Sequence, residues 1–121
     1  MPINKILVVD DSPTERFALT DFLSKQGYQI VTADNGEEAV SKSKTELPDL
    51  ILMDVVMPGI NGYQATRTIS RDDATRSIPI IMCTSKGLET DKIWGMRQGA
   101  YDYMVKPVNL PELLTRIRAM A

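Results

Sequence analysis

Three short runs of apolar, β-type residues each end on a polar group: Lys5-Ile6-Leu7-Val8-Val9-Asp10, Asp49-Leu50-Ile51-Leu52-Met53-Asp54 and Ile78-Pro79-Ile80-Ile81-Met82-Cys83-Thr84. Polar residues do not alternate inside them, so each strand is expected to be covered on both faces, as in a parallel sheet between helical layers. Pro79 is tolerated because it falls at the start of its run, where the missing N–H matters least. Tyr28 to Ala33 interleaves Gln29 and Thr32 among its apolar residues and is placed at a sheet edge. Ala100 to Val105 makes a fifth, weaker strand.

Helix signals fill the gaps. Ser12-Pro13-Thr14-Glu15 combines an N-cap, a first-turn proline and a capping-box glutamate, with Gly27 where that helix should stop. Asn35-Gly36-Glu37-Glu38 opens a second helix, limited by Pro48. Less regular helices follow Gly62 and run about Thr90 to Gln98, where Gly95 and Gly99 are spaced as an interior glycine and a C-terminal stop. Asn109-Leu110-Pro111-Glu112 opens the last helix, in which Leu110, Leu113, Leu114 and Ile117 make a core-facing stripe. Strand and helix alternate five times over 121 residues, without linker or repeat. That predicts an α/β doubly wound, five-stranded parallel sheet flanked by five helices, in one domain spanning residues 1–121 with no output domain.

In such sheets ligands bind beyond the carboxyl ends of the strands. Here those ends carry Asp10-Asp11, Asp34, Asp54, Thr84-Ser85 and Lys106. The chain has no histidine, which excludes a histidine base, an imidazole metal ligand, a catalytic triad and a phosphohistidine carrier. Fourteen basic against sixteen acidic residues, a net charge of −2, argue against binding a nucleic-acid backbone through bulk positive charge. Asp10, Asp11 and Asp54 converge if the first and third strands are neighbours, and crowded carboxylates call for a cation; an open oxygen cluster suits Mg²⁺. Lys106 supplies a point charge for a phosphoryl oxygen and Thr84 a hydroxyl, leaving Asp54 as a nucleophile that forms an acyl phosphate. Each residue also has a plainer reading. Asp10-Asp11 could be a solvated loop, Asp54 a strand-ending acid, Thr84 a strand residue, Lys106 a turn lysine, and Tyr103 packing.

Taken together, Asp10-Asp11, Asp54 followed by Met57-Pro58-Gly59, Thr84, and Lys106-Pro107 resemble the signature of response-regulator receiver domains, the CheY-like phospho-acceptor modules of bacterial two-component signalling. The stretches VDDSPTE, LMDVVMPGINGYQATR and ETDKIWGMRQGAYDYMVKPV resemble single-domain regulators of twitching motility of the PilH group, which serve chemotaxis-like systems controlling type IV pili. The resemblance implies a flavodoxin-like sheet of strand order 2-1-3-4-5, an order that the general rule for this fold already associates with the chemotaxis member of the family. It further implies Asp54 as phospho-acceptor, with Asp11, Asp10 and the backbone carbonyl of Val56 joining Asp54 around Mg²⁺. Thr84 and Lys106 would bind the phosphoryl oxygens, Tyr103 would be an aromatic switch turning inward when Thr84 moves, and Lys106-Pro107 would be cis. Val56 and Lys86 occupy the positions that tune acyl-phosphate lifetime in the family.

The function so implied is a stand-alone response regulator that takes its phosphoryl group from a histidine kinase or a His-containing phosphotransfer protein. It would signal to a protein target through the fourth helix, fifth strand and fifth helix, catalysing only its own phosphorylation and dephosphorylation. A phosphate-sink receiver is one alternative. A Mg²⁺-dependent aspartyl-phosphate phosphatase is another, though it would want an acid at position 56; a constitutive interaction module is a third. The lone Cys83 and an N-terminal apolar run too short for a signal or a membrane span make a cytoplasmic protein, with no DNA and no membrane insertion, the expectation.

Overall fold

A computed structural model describes residues 2–120. The elements run β1 (Lys5–Val9), α1 (Pro13–Lys25), β2 (Gln29–Ala33), α2 (Gly36–Glu46), β3 (Leu50–Met53), α3 (Gly62–Arg71), β4 (Ile80–Thr84), α4 (Glu89–Arg97), β5 (Asp102–Val105) and α5 (Leu110–Ala119). All strand pairs are parallel, in the order β2-β1-β3-β4-β5. The partly polar β2 lies at an edge, and the continuous apolar runs β1, β3 and β4 form the interior.

Side chains alternate between two cores. Leu7, Val9, Ile51, Met53, Ile80 and Met82 face Ala39 of α2 and Ala65 and Ile69 of α3. Ile6, Val8, Leu50, Leu52, Ile81 and Cys83 face Leu19 and Leu23 of α1 and Leu113 and Ile117 of α5. Full burial of each such aliphatic side chain contributes about 1.5–3 kcal/mol. The stripe on α5 is narrower than expected: Leu113 and Ile117 are fully buried and Leu110 packs at the edge of the core, whereas Leu114 is only half-buried and lies outside the cluster.

Side-chain caps set the helix starts. Asn35 accepts from the Glu38 N–H at 2.7 Å and Asn109 from the Glu112 N–H at 2.9 Å. In α3, Asn61 and Gln64 cap reciprocally, each accepting the other's N–H at 2.9 Å. The Ser12 hydroxyl accepts from the Glu15 N–H at 3.4 Å, but the expected capping box does not close: the Ser12 N–H donates to Asp10 Oδ1 at 2.9 Å, and the Glu15 carboxylate accepts from Lys106. Gly27 and Gly99 end α1 and α4 with φ of 97° and 111°, a region open chiefly to glycine. α2 instead stops at Leu47, left-handed at φ 44° just before Pro48, an ending rare for leucine.

On α4, Gly95 brings the helix backbone against β4 and β5. A Cβ there would come within 2.9 Å of Met82 Sδ and 3.0 Å of the Tyr103 ring.

Candidate functional site

The sheet register builds the site. Val9 of β1 pairs with Met53 of β3 and Ala33 of β2, so the next residues, Asp10 and Asp54, leave adjacent strands at the same level. Backbone bonds hold both exits: Asp10 N–H donates to the Ala33 carbonyl at 3.1 Å and Asp54 N–H to the Val9 carbonyl at 3.0 Å. Carboxylate oxygens of Asp10, Asp11 and Asp54 lie within 4.8 Å of one another. Asp10 and Asp54 are buried, while Asp11 faces solvent, which leaves the cluster open on one side. Asp34, at the end of β2, takes the Asn35 side-chain amide at 2.8 Å and stays outside the cluster.

Lys106 arrives from the far side of the sheet. Its N–H donates to the Thr84 carbonyl at 2.8 Å, its peptide bond to Pro107 is cis as expected, and its ammonium lies 2.8 Å from Asp10 Oδ2 and 3.5 Å from Asp54 Oδ2. A third contact joins it to Glu15 Oε2 of α1 at 2.7 Å. The ends of β1, β3 and β5 and the first turn of α1 are thus fastened to one cation.

Burial pushes the Asp54 carboxyl up to about 6, with Asp10 and Asp11 adding to the rise while Lys106 and the Val55 N–H oppose it. Burial also works against the Lys106 ammonium, but its hydrogen bonds to Asp10 and Glu15 more than reverse this and hold it above the ordinary lysine range. One Asp54 oxygen accepts the Val55 N–H at 2.8 Å, which fixes the carboxylate plane; the other faces Lys106. A loop with Gly59 at φ 78° follows, and the chain turns back so that Gly62 N–H reaches the Val55 carbonyl at 2.9 Å. Only a glycine fits at position 62, since a Cβ would run into the Asp54 carbonyl.

The side chains of Thr84 and Tyr103 are near this cluster but make their hydrogen bonds elsewhere. The fully buried Thr84 accepts the Lys86 N–H on Oγ1 at 3.3 Å, and Tyr103 donates its hydroxyl to the Lys86 carbonyl at 2.6 Å. Tyr103 is already buried, with its hydroxyl 3.4 Å from that of Tyr63, whose own hydroxyl donates to the Asp91 carbonyl at 3.3 Å. Burial, then the Tyr63 hydroxyl, raises the Tyr103 phenol above its usual range. Val56 points 55% exposed into solvent, so no second acid stands beside Asp54 from that position. Cys83 is buried in the sheet and its thiol is pushed up to about 12 by that burial, which keeps it unreactive.

Two residues reach the site that sequence reasoning did not assign to it. Glu15 is read there only as a cap, and Arg16 not at all, although its guanidinium donates to the Asp10 carbonyl at 2.6 Å. What the site offers is a buried nucleophilic carboxylate, two further hard oxygen ligands with an open side, and a fixed cation. That donor set fits a divalent metal ion that keeps water ligands, and it fits transfer of an anionic group to Asp54.

The family described as the response regulator receiver domain matches residues 6–118. Protein PilH of Pseudomonas aeruginosa is 53% identical over 96% of this chain and 96% of its own length. The probable transcriptional regulator ycf27 of Guillardia theta is 43% identical over 96% of this chain but only 44% of its own length, so the chain spans less than half of that relative. Among solved structures, chemotaxis protein CheY4 of Vibrio cholerae superposes with a TM-score of 0.91 at 31% identity, covering 98% of this chain and 99% of that one. The receiver domain of a sensor histidine kinase from Pseudomonas aeruginosa, solved with a magnesium ion coordinated in its active-site cleft, gives a TM-score of 0.89 at 32% identity over 96% of this chain and 95% of its own.

Proposed function

The chain belongs to the response regulator receiver domain family, and we propose that it works as a stand-alone phospho-acceptor in a two-component, chemotaxis-like relay that controls type IV pilus twitching motility. The observation that carries the reading is the convergence of Asp10, Asp11, Asp54 and Lys106 at one end of the sheet. The likeness to PilH over nearly the full length of both chains supports the stand-alone role and the link to pili.

In this reading a histidine kinase or a His-containing phosphotransfer protein supplies the imidazole this chain lacks. The phosphorus–nitrogen bond of the donor breaks as an oxygen of Asp54 forms the new bond to phosphorus, and the imidazole nitrogen leaves with the electron pair. Mg²⁺, held by Asp10, Asp11, Asp54 and the Val56 carbonyl, would neutralise charge on the transferring group. Lys106 keeps its proton throughout and pairs with a phosphoryl oxygen, a role supported by its raised affinity for that proton. The Thr84 hydroxyl turns from the Lys86 N–H to a second phosphoryl oxygen, which alters the Lys86 backbone that Tyr103 also grips.

Output then passes to a protein partner. Ile93, Trp94 and Met96 on α4 and Val105 on β5 are exposed apolar groups suited to such a contact. No helix among the described residues is long and apolar enough to cross a membrane, and the buried, unpaired Cys83 accords with a cytoplasmic setting. A turnover phosphatase is disfavoured by the exposed, apolar Val56.

The test is covalent labelling with phosphoramidate, followed by intact mass. One phosphoryl group per chain is expected, dependent on Mg²⁺ and absent from Asp54→Asn; labelling that persists in the folded variant overturns the assignment.

A further inference from the structure

Lys106 is shared among three carboxylates, unequally. Its distances to Glu15 and Asp10, 2.7 Å and 2.8 Å, are those of short charge-assisted hydrogen bonds, whereas Asp54 stands off at 3.5 Å. Glu15 belongs to the first turn of α1, at the capping-box position after Ser12, whose N–H is already donated to Asp10 Oδ1 at 2.9 Å. It instead reaches a residue 91 positions away, at the start of the β5–α5 connection. The Glu15 side chain is 49% exposed and the Lys106 side chain 13%, so the pair runs from the solvent rim into the cleft.

We propose that Glu15 is a positioning residue that holds Lys106 toward the rim of the cleft and so restrains phosphoryl transfer to Asp54. The inference rests on Asp54 being the acceptor. To pair with an arriving phosphoryl group, Lys106 must loosen its contact with Glu15. A small phosphodonor brings nothing to satisfy the released carboxylate. It therefore bears the whole cost of that exchange, whereas a docked protein surface can present its own cation or N–H to Glu15. Removing the charge should speed transfer from small donors. It should also weaken Mg²⁺ binding, because Lys106 then turns more fully onto Asp10 and Asp54 and competes for their oxygens. A residue that merely supported the fold would not move these two quantities in opposite senses.

Glu15→Gln tests this at low risk to folding, since the α1 cap uses only the backbone N–H of position 15, which the substitution keeps. The donor is acetyl phosphate at saturating Mg²⁺: its bond from phosphorus to the acetyl oxygen breaks, acetate leaves with the electron pair, and Asp54 becomes the acyl phosphate. The labelling rate is expected to rise about two- to fivefold, the scale of a partly exposed ion pair. The Mg²⁺ Kd, measured by calorimetry, is expected to rise by a similar factor. In a Lys106→Met background the same substitution should change either quantity by less than about 1.5-fold, because the two effects run through one residue. A Glu15→Gln rate equal to or below wild type, or an acceleration undiminished without Lys106, overturns the inference while leaving Asp54 as acceptor. A wild-type chain that takes no phosphoryl group at all would overturn both.

Discussion

The Tyr103 hydroxyl donates to the Lys86 carbonyl at 2.6 Å, closing over the same residue whose N–H is bound by Thr84 at 3.3 Å. One peptide segment is therefore held from both sides, by a group at the mouth of the site and by an aromatic ring under α4. Tyr103→Phe deletes one of these holds. It should cost about 0.5–1.5 kcal/mol in urea unfolding, the usual net worth of such a bond. Amide hydrogen exchange in residues 85–88 should accelerate, and unchanged exchange there would show that the hydroxyl does not restrain the segment.

Asp54 gives the chain a defined pH response when no metal is present. Its folded value of about 6 lies above the ordinary 3.8, so between those limits the folded chain binds more protons than the unfolded one and stability falls as pH rises. The contribution is present in full below about pH 4 and lost as pH passes through about 6. Asp54→Asn escapes this loss. In chelator at pH 7 the variant should be more stable than wild type by about 1–3 kcal/mol, with the gap closing towards pH 4. A gap that does not change with pH would mean that Asp54 is not strained by burial.

Adding Mg²⁺ at pH 7 should raise the Tm of wild type by relieving the same crowding, and do so less in Asp11→Asn, which removes one of the three clustered acids. Thermal melts with and without chelator decide this; equal shifts in both proteins would take Asp11 out of the metal site.

Gly62→Ala should destabilise by about 2–3 kcal/mol or more, since its methyl group meets the Asp54 backbone carbonyl and not a side chain that could move aside. The displaced strand end should also slow labelling of Asp54, so unfolding and labelling are measured on one preparation. A neutral substitution would show that the loop yields easily.

On α5 the two halves of the stripe can be separated. Leu113→Ala should cost about 2–5 kcal/mol, as for a fully buried leucine, whereas Leu114→Ala, outside the cluster, should cost less than about 1 kcal/mol. Chemical denaturation of the pair checks it.

The strands were legible because burial on both faces leaves an uninterrupted apolar run, and the site because its polar groups punctuate those runs at Asp10, Asp54 and Thr84. The cap of α3 also has a local signature, Asn61 and Gln64 three residues apart, but reading the helix after Gly62 only as irregular misses that pair. Other features had no local signature. Leu47 adopts a conformation its residue type argues against. The Tyr63–Tyr103 contact joins residues 40 apart in the chain. Glu15 is the instructive case, because it fits a local template and is used for a distant one: a capping glutamate and a lysine's counter-ion look the same in sequence, and only the fold decides between them.

Position 95 is where α4 is weakest as a helix, glycine being about 1 kcal/mol poorer than alanine in a helix interior. What that weakness secures is a notch shaped by missing atoms, into which the ring of Tyr103 fits. The tyrosine has no side chain to push past on that wall, so its seat depends on how closely α4 rides on the sheet. A partner that lifts α4 by even a fraction of an ångström would change what holds the ring, and a partner that presses the helix down would lock it.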